Sequence, residues 1–222
     1  MAPRGRSWAL ASPTSSKPLS SAVVTRHSVP YCVATQYGTV CTGNAVSIVD
    51  PRHLDVGLMQ KPSFAYAPGR APAPLQELQA LCASADAYVA ITPEYNHAPS
   101  PALLNILNHV GSSTFSFKPS AIVSYSAGQW GGTRAAHALR PILSELGCLP
   151  VSAMVHIASA AAVLDHHGAV PADAAERWDG YVDRCLSQLE WWARAACEYR
   201  RQVDPNVASP AFRRAPTQRD AP

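Results

Sequence analysis

No acidic residue occurs in the first 49 positions, which carry Arg4, Arg6, Lys17 and Arg26. That imbalance does not extend along the chain. Residues 50–203 hold 11 Lys/Arg against 13 Asp/Glu, so this stretch is slightly acidic and offers no basic face for nucleic acid. No apolar run approaches the roughly 20 residues of a membrane span, which excludes a helical membrane anchor within these residues. The six cysteines, Cys32, Cys41, Cys82, Cys148, Cys185 and Cys197, form no C-x-x-C pair. Their spacing in a chain of this size argues against a disulfide framework. Cys82, Cys148 and Cys185 lie among apolar neighbours, as reduced buried thiols do. Ser124 and Ser126 are not framed by a G-x-S-x-G elbow, which removes the usual hydrolase reading. Glu94 and His97 have the spacing of a metal pair, but on a loop and with no matching second pair. His166-His167, after Asp165, read as part of a solvated loop.

What is present centres on residues 86–110. Ala87 to Thr92 is apolar at nearly every position and suits a parallel strand covered on both faces. Pro93 ends it, and the polar loop Glu94-Tyr95-Asn96-His97 follows. Ser100 and Pro101 read as N-cap and first residue of a helix. Leu103, Ile106, Leu107 and Val110 share one face of it, and Gly111 closes it. Strand, polar loop at the carboxyl end, then helix is the arrangement at which open α/β sheets bind ligands.

The 222 residues make one domain of ordinary size. Residues 1–44 are rich in Ser, Thr, Ala and Pro, and three readings fit them: a transit peptide, a disordered extension, or an abnormal first exon. Val29 to Thr35 and Thr39 to Thr42 are the strand-like stretches there. Ala45 to Asp50 is a short strand, and a helix begins at Pro74 with Leu75, Leu78 and Cys82 on one face. Ser112 to Pro119 reads as a loop. Ala121 to Ser126 is a strand, Gly128 to Gly132 a turn, and Thr133 to Leu146 a helix with a kink expected at Pro141. Val151 to Ile157 is the last expected strand. The final helix runs from about Asp173 to Val203 with the stripe Trp178, Val182, Cys185, Leu189, Trp192, Ala196, Tyr199, which reads as core packing before partner surface. From Asp204 onward a Pro/Arg tail without periodicity reads as disordered.

Thr92-Pro93-Glu94-Tyr95-Asn96, followed by a proline-bounded helix, resembles a loop of the NAD(P)H-dependent FMN reductase family. Ala121-Ile-Val-Ser-Tyr-Ser-Ala-Gly-Gln-Trp-Gly-Gly132 resembles the family's next strand and its Ser/Gly-rich turn. The two stand in the family's order and spacing, and the likeness covers roughly residues 45–203. It implies a flavodoxin-like three-layer α/β sandwich with a parallel sheet, strand order 2-1-3-4-5 where the first unit is complete. It implies bound FMN, NAD(P)H as hydride donor, and a small-molecule acceptor: a quinone, an azo compound, a metal oxyanion or free flavin. It also implies a homodimer or homotetramer in the cytoplasm, with organellar import open from the acid-free N-terminal segment.

By the same resemblance Pro93, Glu94, Tyr95, Asn96, Ser124, Tyr125, Ser126, Gly128, Gly131 and Gly132 are the flavin-binding positions, and no catalytic side chain is named. The residues support this independently. Three glycines in five positions remove side chains where a flat ring must approach backbone, and permit positive φ. Gly131→Val is therefore expected to abolish flavin retention while leaving the fold. One family element is absent upstream of Ala45: the Gly-Ser-x-Arg type loop that holds the FMN phosphate at a helix N-terminus. Weak FMN binding is the consequence, and a non-enzymatic scaffold that has lost tight FMN binding is the rival reading.

Overall fold

The computed structural model describes residues 20–24, the first five by backbone alone, together with 44–165 and 168–208. Cys32, Cys41, His166, His167 and the strand-like stretches Val29–Thr35 and Thr39–Thr42 lie outside the described residues. The elements run β1 (Ser20–Val24), β2 (Ala45–Val49), α1 (Ala73–Ser84), β3 (Ala87–Pro93), α2 (Pro101–His109), α3 (Ser112–Phe115), β4 (Pro119–Tyr125), α4 (Thr133–Glu145), β5 (Leu149–Pro150), β6 (Val155–Ile157), α5 (Ala160–Val163), α6 (Ala175–Gln202) and α7 (Pro205–Ala208).

The sheet is parallel at every pairing, with order β2-β1-β3-β4-β5 and β6 also on β4. This is the flavodoxin-like order expected, and it includes a first strand. β1 pairs with β2 along Ser20–Val24 and with β3 along Ser21–Val24. The twenty residues 25–44 between β1 and β2 are enough for a parallel crossover, so the first strand is diverged rather than missing.

β3 is buried at all seven positions, and its side chains divide by the period of two. Ala87, Val89 and Ile91 join Ala121, Val123, Val155 and Ile157 under α6. Tyr88 and Ala90 join Ile122 under α1, α2 and α4, where Leu78, Leu103, Leu107 and Leu139 pack. Two apolar layers therefore clamp one sheet, which is why its strands read as continuous apolar runs.

Several elements differ from the sequence reading. α3 forms within the expected loop, because Phe115 buries itself edge-on against Tyr88 at 5.0 Å. Of the expected strand Val151–Ile157 only the end forms, as β6 (Val155–Ile157), and β5 (Leu149–Pro150) lies before it. Gln188 of α6 accepts the Ala153 N–H through its side-chain oxygen at 3.1 Å, taking a donor that a continuous strand would have given to a ladder. The α6 stripe is core only in its first half. Val182, Cys185 and Leu189 are buried, whereas Trp192 is 43% and Tyr199 64% exposed. A helix of 28 residues spans about 42 Å, roughly twice a seven-residue strand, so its far end outruns the sheet. The tail begins with the helical turn α7; residues 209–222 lie outside the described residues. α4 runs through Pro141 as one helix.

Candidate functional site

In a 2-1-3-4-5 sheet the strand order reverses between β1 and β3, and the crevice outside their carboxyl ends is the ligand position. The loop after β3 stands at that point. Tyr95 and Ala98 exchange backbone hydrogen bonds at 3.0 and 2.9 Å across Asn96 (φ +51°) and His97 (φ +65°). Two consecutive positive φ values make a type I′ turn, which presents Tyr95, Asn96 and His97 to solvent. The base of the turn is pinned. Buried Thr92 accepts the Ser100 N–H on Oγ1 at 2.9 Å, and Ser100 Oγ caps α2 by accepting the Leu103 N–H at 3.2 Å.

The loop after β4 is built by Ser124. Its hydroxyl donates to the Gly131 carbonyl at 2.7 Å and lies 2.7 Å from His156 Nδ1. A hydroxyl has one proton, so with that proton on Gly131 the His156 Nδ1–H must donate to Ser124 Oγ, leaving Nε2 as the lone-pair nitrogen. Burial, then the neighbouring charge of His137, lowers the His156 pKa, in keeping with a neutral ring. Gly131 (φ +60°) and Gly132 (φ +77°) complete the turn. A Cβ on Gly131 would stand 3.0 Å from the Ala158 nitrogen; one on Gly132 would stand 2.9 Å from both the nitrogen and oxygen of Tyr125. These two glycines let the turn lie against the ends of β4 and β6. Gly131→Val is accordingly expected to disturb the fold, which corrects the expectation that it would spare it. Around Gly128 a Cβ would meet nothing within 4 Å.

Glu94 joins the two loops. Its side chain is 6% exposed and ion-pairs with Arg134. The same carboxylate accepts the backbone N–H groups of Arg134 at 3.2 Å and Ala135 at 3.4 Å, in the first turn of α4. The N-cap of α4 is Gly132, which has no side chain to cap with, so Glu94 does this from across the cleft. Burial alone would raise its pKa; the Arg134 hydrogen bond and charge, with the Ala135 amide, hold it below the usual value. Glu94 N–H also donates to the Tyr125 carbonyl at 3.1 Å.

The ten positions singled out from sequence therefore converge on one cleft, with divided roles. Pro93 is the buried last residue of β3 and pairs in register with Tyr125 of β4. The Glu94 carboxylate and the fully buried Ser124 hydroxyl are committed to protein groups. Ser126 Oγ donates to the Gly128 carbonyl at 3.0 Å. Tyr95, Asn96 and Gly128 stay open to solvent. Among the described residues, the N–H groups of Asn96, His97, Ala127, Gly128, Gln129 and Trp130 donate to no protein acceptor. A series of unspent amides along two adjacent loops, with glycine where a ring must come close, fits the polar edge of a flavin. Sequence reasoning missed His156 and the part played by Arg134. Each acts across more than 30 residues of chain, and no local pattern marks such a contact.

Comparison with known proteins identifies the family. The family model described as NADPH-dependent FMN reductase matches residues 24–162, more than half of the chain. An NAD(P)H-dependent FMN reductase of Pseudomonas aeruginosa is 33% identical over 133 residues, covering 58% of this chain and 70% of that protein. A quinone reductase of Pseudomonas putida is 30% identical over 111 residues, 47% of this chain and 59% of that one. The solved structure of FerB, a flavoenzyme NAD(P)H:acceptor oxidoreductase from Paracoccus denitrificans, superposes with a TM-score of 0.62 at 22% identity. It covers 78% of this chain and 97% of its own, and the likeness is one of fold. The chain belongs to the NADPH-dependent FMN reductase family.

Proposed function

We propose that this chain is an oxidoreductase that binds FMN in the cleft between the β3 and β4 loops and reduces a small-molecule acceptor, a quinone, azo compound, metal oxyanion or free flavin, at the expense of NAD(P)H. FMN, when bound, supplies the two-electron carrier between donor and acceptor. The observation that carries the reading is the set of unspent backbone N–H groups at Asn96, His97 and Ala127–Trp130, beside a turn held open by Gly131 and Gly132. The chain's own residues have three tasks there. The amides and Asn96 bind and orient the ring edge. Glu94, through Arg134 and α4, holds the loops at a fixed separation. Tyr95 and Trp130, 40% and 62% exposed, are placed to shield a ring from water.

β1 ends at Val24, so Thr25, Arg26, His27 and Ser28 follow at the position where the family resemblance places the phosphate loop. They lack the Gly-Ser-x-Arg pattern, and this supports weak holding of the FMN phosphate. The exposed Trp191, Trp192 and Tyr199 on α6 favour a homodimer or homotetramer, which sedimentation at micromolar concentration checks. We assign the activity to the cytoplasm. No described helix is long and apolar enough to cross a membrane. The test is NADPH oxidation by the purified chain with added FMN and a soluble quinone. Turnover that requires both supports the reading; flavin-independent behaviour, or none at any flavin concentration, removes it in favour of a non-enzymatic scaffold.

A further inference from the structure

A second cavity of about 500 Å³ lies behind the β4 turn, walled by His156, Ala158, Val163, Arg177, Trp178 and Tyr181. It abuts the flavin cleft. The Ala158 nitrogen that a Cβ on Gly131 would strike belongs to its wall, and His156, another wall residue, is the partner of Ser124 in the turn. The walls are fixed before anything binds. Tyr181 Oη accepts the His156 N–H at 2.9 Å, Trp178 meets the Tyr181 ring edge-on at 5.8 Å, and Arg184 lies 6.0 Å from the Tyr181 ring centroid.

The chemistry of the lining is specific. Two aromatic rings and Val163 supply apolar wall, and the volume suits a two- or three-ring ligand. Among the described residues, Arg177 is the one charged group in the wall. Among the described residues it makes no ion pair and donates no hydrogen bond, so its guanidinium is unspent. Among the described residues, His156, with Nδ1 committed to Ser124, has no partner at Nε2. Among the described residues, no carboxylate lines the cavity.

We infer that this cavity is a binding site for a planar aromatic anion, its rings against Trp178 and Tyr181 and its anionic group on Arg177. An unspent guanidinium beside two rings selects for such a ligand over a neutral one of the same shape, because the fork offers paired donors to a sulfonate or carboxylate. The binding does not rest on the proposed reductase function.

The test uses the full purified chain and anthraquinone-2-sulfonate, with 2-(hydroxymethyl)anthraquinone as the neutral probe. Sulfonate binding is expected to quench tryptophan fluorescence saturably, and Trp178→Phe to remove most of the quench. Arg177→Gln is expected to weaken the sulfonate about tenfold, the loss of one charge-assisted contact, and to leave the neutral probe unchanged. Arg177 is exposed, so the variant is expected to keep the parent's melting temperature. Equal binding of both probes, or sulfonate affinity unmoved by Arg177→Gln, overturns the inference. The two readings fail separately. A chain that binds the sulfonate through Arg177 but reduces nothing keeps this site and loses the reductase function. A chain that reduces quinones while its sulfonate affinity ignores Arg177 does the reverse.

Discussion

The two ends of the sheet treat their polar groups in opposite ways. At the amino end the cations are consumed. Lys118 Nζ donates to the Cys82 and Ala83 carbonyls and to Tyr88 Oη, at 3.2, 2.9 and 3.1 Å. Arg200 donates to the Phe117 carbonyl at 2.8 Å and pairs with Asp86 at 2.7 Å, and Tyr88 Oη lies 2.8 Å from the Cys82 carbonyl. What remains there is a largely apolar cavity of about 490 Å³ that includes Trp192, Tyr199 and Leu149 in its lining. At the carboxyl end, consecutive backbone amides among the described residues are left unspent, with positive φ at Asn96 and His97. Buried polar groups in folded proteins find partners, so the groups left open are those to which a ligand has access. Cations at one end fasten the strands' starts to α1 and α6; the amides at the other are free for chemistry.

The largest expected effect strikes the frame of the open end. Gly132→Val sets a branched side chain at φ +77° and 2.9 Å from the Tyr125 backbone. Strain and overpacking together should cost about 3 kcal/mol or more, lowering the melting temperature by roughly 10 °C. A variant that melts with the parent would show that the turn does not press on β4. Next comes the closed end. Lys118→Met leaves the Cys82 and Ala83 carbonyls without this donor, a loss of about 1–3 kcal/mol in denaturant unfolding. Quinone turnover should be unchanged, because the two ends do not share residues; a large loss of turnover would break the contrast.

How much of this the sequence revealed depended on range. β3, its loop and the Ser100-Pro101 start of α2 were readable because each rests on neighbours within a turn or a strand: a buried run, a polar loop, an N-cap followed by proline. β1 was not. Ser20–Val24 carries two serines in five residues, and it is a strand by virtue of two ladders, to β2 and β3, that no local pattern announces. The division of α6 into core and surface halves depends on where the sheet ends. In the cleft, the ten candidate positions were legible as a group. Which of them would be spent was not, since Glu94 meets α4 across 40 residues and Ser124 meets His156 across 32.

That division of labour gives the next prediction. Glu94→Gln removes the charge that holds the start of α4. Stability should fall by about 1 kcal/mol at neutral pH, as for a lost helix cap. The sign with pH follows from the direction of the shift. The folded-state pKa of Glu94 lies below its unfolded value, so its contribution is complete above the ordinary carboxylate range and is lost as pH falls through the folded pKa. The gap between parent and variant should therefore close on acidification below about pH 4.5. A gap that persists unchanged to pH 2 would remove the charge from the explanation. The smallest effect is expected at Gly128→Ala, where a Cβ meets nothing; stability should move by less than about 0.5 kcal/mol in thermal melts. A larger change would mean that this part of the loop is packed after all.

The central claim, that the open amides hold a flavin ring, is tested most directly by titrating the flavin-free chain with FMN and with riboflavin in parallel, following flavin fluorescence. Both share the ring; only FMN carries the phosphate. With a formed ring site and a sequence after β1 that lacks the family's phosphate pattern, both are predicted to bind, FMN no more than about tenfold tighter, the contribution of one charge-assisted contact. A nanomolar FMN constant with riboflavin far weaker would show that residues 25–44 build a full phosphate site. No binding of either flavin would contradict the account.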